Sequence, residues 1–206
     1  MTVRPRSGRA GLAATLLLVL VIAGTAIALF ARAPVRPYGM RAGAFDPPRA
    51  APELDLRGSD GSKVTLTRYR GKVVLLTFGF TNCAAVCPTT LATLAQARAA
   101  LGVDAKSVQV IFVTVDPERD DTARMREYLG AFDPSFIGAT GSPEALANVR
   151  RAYGVTATRE GAGADYAMRH TSSIFMIDGA GKLRALMPFG HDAADFVHDI
   201  PFLAGR

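Results

Sequence analysis

The stretch Val73-Val74-Leu75-Leu76-Thr77-Phe78-Gly79-Phe80-Thr81-Asn82-Cys83-Ala84-Ala85-Val86-Cys87-Pro88 decides the fold. Its first six residues form a continuous apolar, β-branched run, the pattern of a strand buried on both faces of a mostly parallel sheet. Pro88 to Leu101 then reads as a helix, with Leu91, Leu94 and Ala95 on one face and Gly102 as its stop. Val108 to Val115 repeats the buried-strand pattern, so a βαβ unit is complete by residue 115. Downstream, Asp121 can cap a helix from Thr122 to Phe132, and Ser142 followed by Pro143 starts another that ends near Tyr153. Ile174 to Ile177 and Leu183 to Met187, joined across Asp178-Gly179-Ala180-Gly181, read as an antiparallel hairpin, and a last helix runs from about Ala193 to Leu203. Upstream, Leu54 to Leu56 and Lys63 to Leu66 flank a Gly58-Ser59-Asp60-Gly61 turn as a short leading hairpin.

This order predicts an α/β domain of thioredoxin-like type, a central mixed sheet flanked by helices, over residues 53–206. The chain has 206 residues, 49% hydrophobic and 20% charged, which excludes a disordered tail. Residues 1–50 carry seven Arg and one acid, Asp46, and so account for the whole formal charge of +6. The folded part is therefore neutral, which disfavours nucleic acid as a partner. Gly11 to Phe30 contains no charge and as a helix rises roughly 30 Å, enough to span a bilayer. Arg4, Arg6 and Arg9 in the basic tail 1–10 place the N-terminus in the cytoplasm and the rest outside. A cleaved signal peptide is the alternative, but the apolar run exceeds a usual signal core and Pro34 follows the only cleavage-like site. The expectation is one transmembrane helix over 11–30 in a bacterial inner membrane, with the domain on the periplasmic side. Residues 31–52, with five Pro and four Arg, read as an extended tether.

The only cysteines are Cys83 and Cys87, in the first βα connection beyond the carboxyl end of its strand, where open α/β sheets place their sites. Four-residue spacing puts both sulfurs on one side of a helical first turn, where backbone amides and the helix dipole favour thiolates. A disulfide, a redox pair and a shared soft metal ion are all open to them. A purely structural disulfide would close so short a loop that its entropic gain is small. A third donor would make a trigonal site selective for Cu(I), and His170 is the candidate, just ahead of the strand at Ile174 and after Gly161-Ala162-Gly163, which reads as mobile. The strands flanking this loop are near neighbours in a thioredoxin-like layout. Met168 could donate a thioether but reads as packing, and His191 and His198 read as surface residues.

At this point the sequence resembles the SCO/SenC family of membrane-anchored, thioredoxin-like copper proteins used in building cytochrome c oxidase. Gly71-Lys72-Val73, Phe78-Gly79-Phe80-Thr81-Asn82-Cys83, Cys87-Pro88-Thr89-Thr90, Phe112 to Asp120, Gly138-Ala139-Thr140-Gly141, and Tyr166 with His170-Thr171-Ser172-Ser173-Ile174 carry the resemblance, over residues of about 51 to 190. It implies copper, as Cu(I) and also Cu(II), bound by Cys83, Cys87 and His170, with delivery to the CuA centre of oxidase subunit II. Asp116 to Asp120 resembles the family's acidic loop; the plainer reading is loop structure and helix capping. Two departures stand out. Ala84-Ala85 replaces a common Pro-Asp, which predicts more acidic cysteines, and Arg169 replaces a common Asp, which favours a neutral, metal-ready imidazole.

The leading expectation is a metallochaperone that receives copper from a donor protein and yields it to subunit II. The alternative is an extracytoplasmic thiol-disulfide oxidoreductase in which Cys83 attacks a partner disulfide of an oxidase subunit or another copper protein and Cys87 resolves the mixed species, with a separate thiol reductant. A peroxide-reducing enzyme of the same fold would need a Pro and a Thr or Ser ahead of its reactive Cys; Ala84 stands three residues before Cys87.

Overall fold

The computed structural model describes residues 39–163 and 165–205. The expected basic tail, the membrane span at 11–30 and the tether up to residue 38 lie outside the described residues. Among the described residues no helix is long and apolar enough to cross a membrane.

The buried run becomes strand β4 (Val73–Gly79), every residue of which is buried. It pairs in parallel with β5 (Val108–Thr114), also buried throughout, and β5 pairs in parallel with β6 (Ile137–Thr140). On its other side β4 pairs antiparallel with β9 (Ile174–Ile177), which continues through its hairpin to β10 (Lys182–Met187). The leading hairpin, β2 (Leu56–Gly58) and β3 (Lys63–Val64), joins the far side through β6. With the edge strand β1 (Gly43–Ala50), the sheet has eight strands in the order β1-β10-β9-β4-β5-β6-β2-β3. The central strands are parallel because a helix crosses over between them, and continuous apolar runs are what strands covered on both faces require.

Helix α1 (Val86–Leu101) buries Cys87, Thr90, Leu91, Leu94 and Ala97, a stripe at three- and four-residue spacing. Asp121 accepts from the Arg124 amide as the N-cap of α2 (Thr122–Gly130), and Ser142 from the Ala145 amide as the N-cap of α3 (Pro143–Tyr153), as the capping residues predict. Helix α4 (Ala193–Leu203) packs against α1 on one face of the sheet. Phe175 meets Phe78 and Tyr153 edge to face, and Phe78 and Tyr153 meet at a tilt, with centroids 5.0 to 5.9 Å apart.

The structure differs from the sequence expectation in three places. The second half of the tether is part of the domain: β1 pairs with β10 at Gly43, Ala44, Arg49 and Ala50, and the register skips across the intervening prolines. An edge strand tolerates Pro because its outward side needs no ladder donors, and with nearly every β1 side chain exposed there is no apolar alternation to announce it. The entry to β1 is fixed instead by Asp199, fully buried in α4, whose carboxylate accepts the Arg41 and Ala42 amides at 2.9 and 2.8 Å. Second, Gly161 and Gly163 lie in the connection of a separate two-stranded ribbon, β7 (Ala157–Glu160) and β8 (Ala167–His170), that the sequence pattern did not announce. Third, β6 is too short, and too rich in Gly and Ala, to show a strand pattern.

Replacing the buried carboxylate in Asp199→Ala leaves two amides of the β1 entry unsatisfied. The expected cost is about 2–4 kcal/mol in a urea unfolding experiment, together with faster tryptic cleavage after Arg41 and Arg49. Unchanged stability and cleavage would show that β1 is held in some other way.

Candidate metal centre

Strand β4 delivers the chain at Gly79 to the carboxyl end of the sheet, where the loop to α1 carries both cysteines. This loop is stapled down by Asp120, fully buried in the β5–α2 connection. Its carboxylate accepts from the Thr81 amide (3.1 and 3.2 Å), the Thr81 hydroxyl (2.6 Å) and the Thr114 hydroxyl (2.6 Å). Burial raises the pKa of Asp120 despite these donors. Asp116 is buried too and accepts from Tyr166 and Arg119, so two of the three acids of the 116–120 loop serve its structure, as the plainer sequence reading has it, while Glu118 is exposed and faces Arg159.

Gly79 is required by close approach. A β-carbon there would stand 2.6 and 2.7 Å from the Phe112 ring and 2.8 Å from Cys87 Sγ, closer than such atoms pack. The missing side chain lets the sulfur sit against the strand, a constraint invisible in an apolar run that reads equally well with Ala.

The cysteines are not equivalent. Cys83 lies in the loop, partly exposed, ahead of the helix that starts at Val86, rather than on the helix as its spacing suggested. Its sulfur accepts from the Cys87 amide at 3.4 Å. Burial opposes its ionisation, but the amides of Cys87, Ala85 and Val86 outweigh burial and hold its pKa below the ordinary thiol value. Cys87 is buried on α1, and burial, reinforced by the like charges of Cys83 and Asp120, pushes its thiol far up despite a backbone hydrogen bond at Phe80. The two thiols are thus shifted in opposite directions from the ordinary value, down at Cys83 and up at Cys87.

His170 ends β8, and its ring meets Cys87 across the cleft: Nε2 is 3.6 Å from Sγ. Nδ1 lies 2.9 Å from the Thr171 carbonyl oxygen. A carbonyl only accepts, so Nδ1 carries the proton and the Nε2 lone pair faces the sulfur, the tautomer a metal ligand needs. Phe80 packs edge-on against the imidazole with centroids 5.9 Å apart, and Phe78, Phe112 and Val86 wall the cleft with apolar surface. Cys87 and His170 are therefore side by side, with Cys83 joined to them through the Cys87 amide. Among the described residues no three His, Cys, Asp or Glu side chains already enclose an ion-sized space, so a shared ion would draw Cys83 inward.

Other sequence candidates fall elsewhere. Arg169 is 78% exposed and ion-paired with Glu160 on the outer face of the ribbon, so its charge is spent away from the imidazole, contrary to the role expected of it. Alternation along β8 turns His170 inward and Arg169 outward. Met168 packs against the core. His198 is exposed, as expected of a surface residue, whereas His191 is half-buried; each has Nδ1 2.8 Å from an α4 carboxylate, Asp199 and Asp195 respectively.

Comparison with known proteins identifies the family of this fold. The family model SCO1/SenC matches residues 44–204. The mouse protein described as SCO2 homolog, mitochondrial, is 39% identical over 132 residues, 62% of this chain and 51% of its own length, so the match spans about half of that relative. A putative copper-binding protein of Stutzerimonas stutzeri is 33% identical over 141 residues, 66% of this chain and 68% of its own. Among solved structures, Bradyrhizobium japonicum ScoI with copper bound superposes with a TM-score of 0.70 at 34% identity, covering 75% of this chain and 99% of that one. The family match runs from β1 through α4 and so takes in the strand pairing, the cysteine loop and the histidine that faces it. On that extent, this thioredoxin-like chain belongs to the SCO1/SenC family.

Proposed function

We propose that the protein is a copper metallochaperone in which Cys83, Cys87 and His170 hold Cu(I) as cargo and yield it by ligand exchange to the CuA site of cytochrome c oxidase subunit II. The observation that carries this reading is Nε2 of His170 standing 3.6 Å from Cys87 Sγ, with Nδ1 turned to the Thr171 carbonyl at 2.9 Å. Two thiolates and one imidazole form a soft donor set suited to a monovalent copper ion, and the apolar wall keeps water from competing. A relative described as copper-binding and a related structure with copper bound support the reading. Cys87 gives up its proton when the ion arrives, so loading releases protons and weakens as pH falls. Residues 11–30 anchor the domain to the inner membrane, residues 31–38 tether it, and the domain works on the periplasmic side.

A second reading has one observation in its favour, the split in thiol acidity. An accessible, acidified Cys83 beside a protonated, buried Cys87 is the arrangement of an attacking and a resolving thiol. The two readings differ at His170, which a thiol-disulfide reductase does not need. In a Cu(I) competition titration of the reduced full-length chain, His170→Ala is expected to weaken binding by at least about a hundredfold, the upper end of what loss of mere outer-shell support costs. Equal affinity of variant and wild type overturns the copper site and leaves the reductase.

The buried thiol also fixes a pH dependence. In the unfolded chain Cys87 ionises near the usual value of about 8.5, whereas the folded, reduced protein keeps the proton to higher pH. Its contribution to stability is complete below that value and falls as pH rises above it, with a slope approaching about 1.4 kcal/mol per unit. Urea unfolding of the reduced, metal-free protein between pH 8 and about 10 should show this decline in wild type and lose it in Cys87→Ser. Parallel profiles for the two proteins would mean that Cys87 ionises freely in the fold.

A further inference from the structure

The β7–β8 ribbon shares no hydrogen-bond ladder with the eight-stranded sheet, yet it carries His170. Its angle to the body is therefore set by side chains, and these converge on one residue. Tyr166, only 7% exposed, donates its hydroxyl to Asp116 Oδ1 at 2.5 Å. Arg119 Nε donates to the other oxygen of Asp116 at 2.5 Å, and Arg119 Nη1 donates to the Tyr166 carbonyl at 3.0 Å. The guanidinium carbons of Arg119 and Arg159 each lie 3.6 Å from the Tyr166 ring centroid. Two cations at that distance cannot share one face, so they sandwich the ring, Arg119 from the body and Arg159 from β7. The Arg159–Glu118 ion pair, at 3.3 Å, adds a further tie between ribbon and body.

We propose that Tyr166 is a positioning residue for His170: sandwiched by Arg119 and Arg159 and hydrogen-bonded to Asp116, it pins the ribbon so that the imidazole faces Cys87. The inference rests on the copper-site reading above and adds to it a residue that touches no donor atom. His170 lies four residues beyond Tyr166, about 13 Å along an extended strand, and four residues before Ile174, which is locked into the sheet opposite Thr77. The imidazole is thus held between the strand ladder at Ile174 and this clamp, with β7, entered from buried Val155, pairing Ala157 with His170 alongside. A second route runs through Arg119, which also lies over Phe80 at 5.9 Å, the ring that packs against His170. Without the clamp, the end of β8 that enters from Tyr166 is released, and the ribbon tilts about its attachments at Val155 and Ile174, taking Nε2 away from the sulfur.

Cu(I) competition titrations of the reduced full-length chain, paired with NMR of the His170 ring in the copper-free protein, test this. Tyr166→Leu is expected to lower Cu(I) affinity about 10- to 100-fold and to shift or broaden the His170 ring resonances. Tyr166→Phe, which keeps the stacking and loses the bond to Asp116, should fall between it and wild type. Alkylation of Cys83 should keep its rate in both, since the amides around that sulfur belong to α1 and its approach. A Tyr166→Leu protein with wild-type affinity and unmoved His170 resonances, alongside a His170→Ala protein that has lost copper, overturns the clamp while leaving the copper site intact. If His170→Ala keeps copper as well, the copper reading fails, and the clamp is then judged on the ring resonances alone. Should Tyr166→Leu not fold, Tyr166→Phe and Arg159→Gln decide by the same two measurements.

Discussion

The antiparallel register that sets Thr77 opposite Ile174 is the constraint on which the site depends. Because β4 and β9 run in opposite directions, the chain that leaves β4 and the chain that enters β9 emerge at the same end of the sheet. The first carries Cys83 and Cys87, the second His170, so residues 83 positions apart in sequence meet without a long loop. The parallel pairing of Gly79 with Thr114 brings the end of β5 to the same place and with it Asp120, which ties down the cysteine loop. A one-residue slip in either pairing would turn the strand faces over and separate the donors.

Much of this was legible because it rests on burial. The runs 73–78 and 108–115 have no solvated face, so no pattern other than a doubly covered strand fits them, and Asp121, Ser142 and Gly102 mark helix ends through local chemistry. The hairpin of β9 and β10 was likewise signalled by its own turn residues. What sequence did not disclose was held by contacts distant along the chain. Strand β1 owes its place to the Asp199 carboxylate, and the β7–β8 ribbon to Tyr166 and its two arginines. The approach of His170 to Cys87 follows from the order of the strands, but the inequality of the two sulfurs does not, since identical residue types gave no sign that one lies behind Phe112 and Gly79 while the other sits among amides.

That inequality shapes the proposed chemistry. Cys87 is held protonated by its surroundings, and its nearest polar neighbour across the cleft is an imidazole lone pair. A proton and a soft cation therefore compete for one position between sulfur and nitrogen, and whichever is in excess occupies it. Cys83 stands on the accessible side with its charge already favoured, the natural first contact for an incoming ion or a partner sulfur. Under the proposed function, capture would begin at the acidified thiol and be completed at the buried one. Release to an acceptor with its own thiolates reverses the order, and a proton returns to Cys87.

The replacement of Pro-Asp by Ala84-Ala85 acts on this balance through the helix terminus. Ala85 is the N-cap of α1 and has no side chain able to accept a hydrogen bond, so the first amides of the helix lack the usual capping partner. They turn to Cys83 instead: the Cys87 amide points at its sulfur, and those of Ala85 and Val86 favour its thiolate. An aspartate at position 85 would compete for these donors and set a like charge beside the sulfur, opposing ionisation twice over. The alanine thus leaves the thiolate of Cys83 as the helix cap, which couples the start of α1 to the state of one sulfur. When that sulfur bonds to another sulfur or to an ion, the negative charge offered to the amides is reduced and the first turn loses part of its cap. The amides that hold Cys83 below the ordinary thiol value are those of the helix start, which ties that turn to what Cys83 holds.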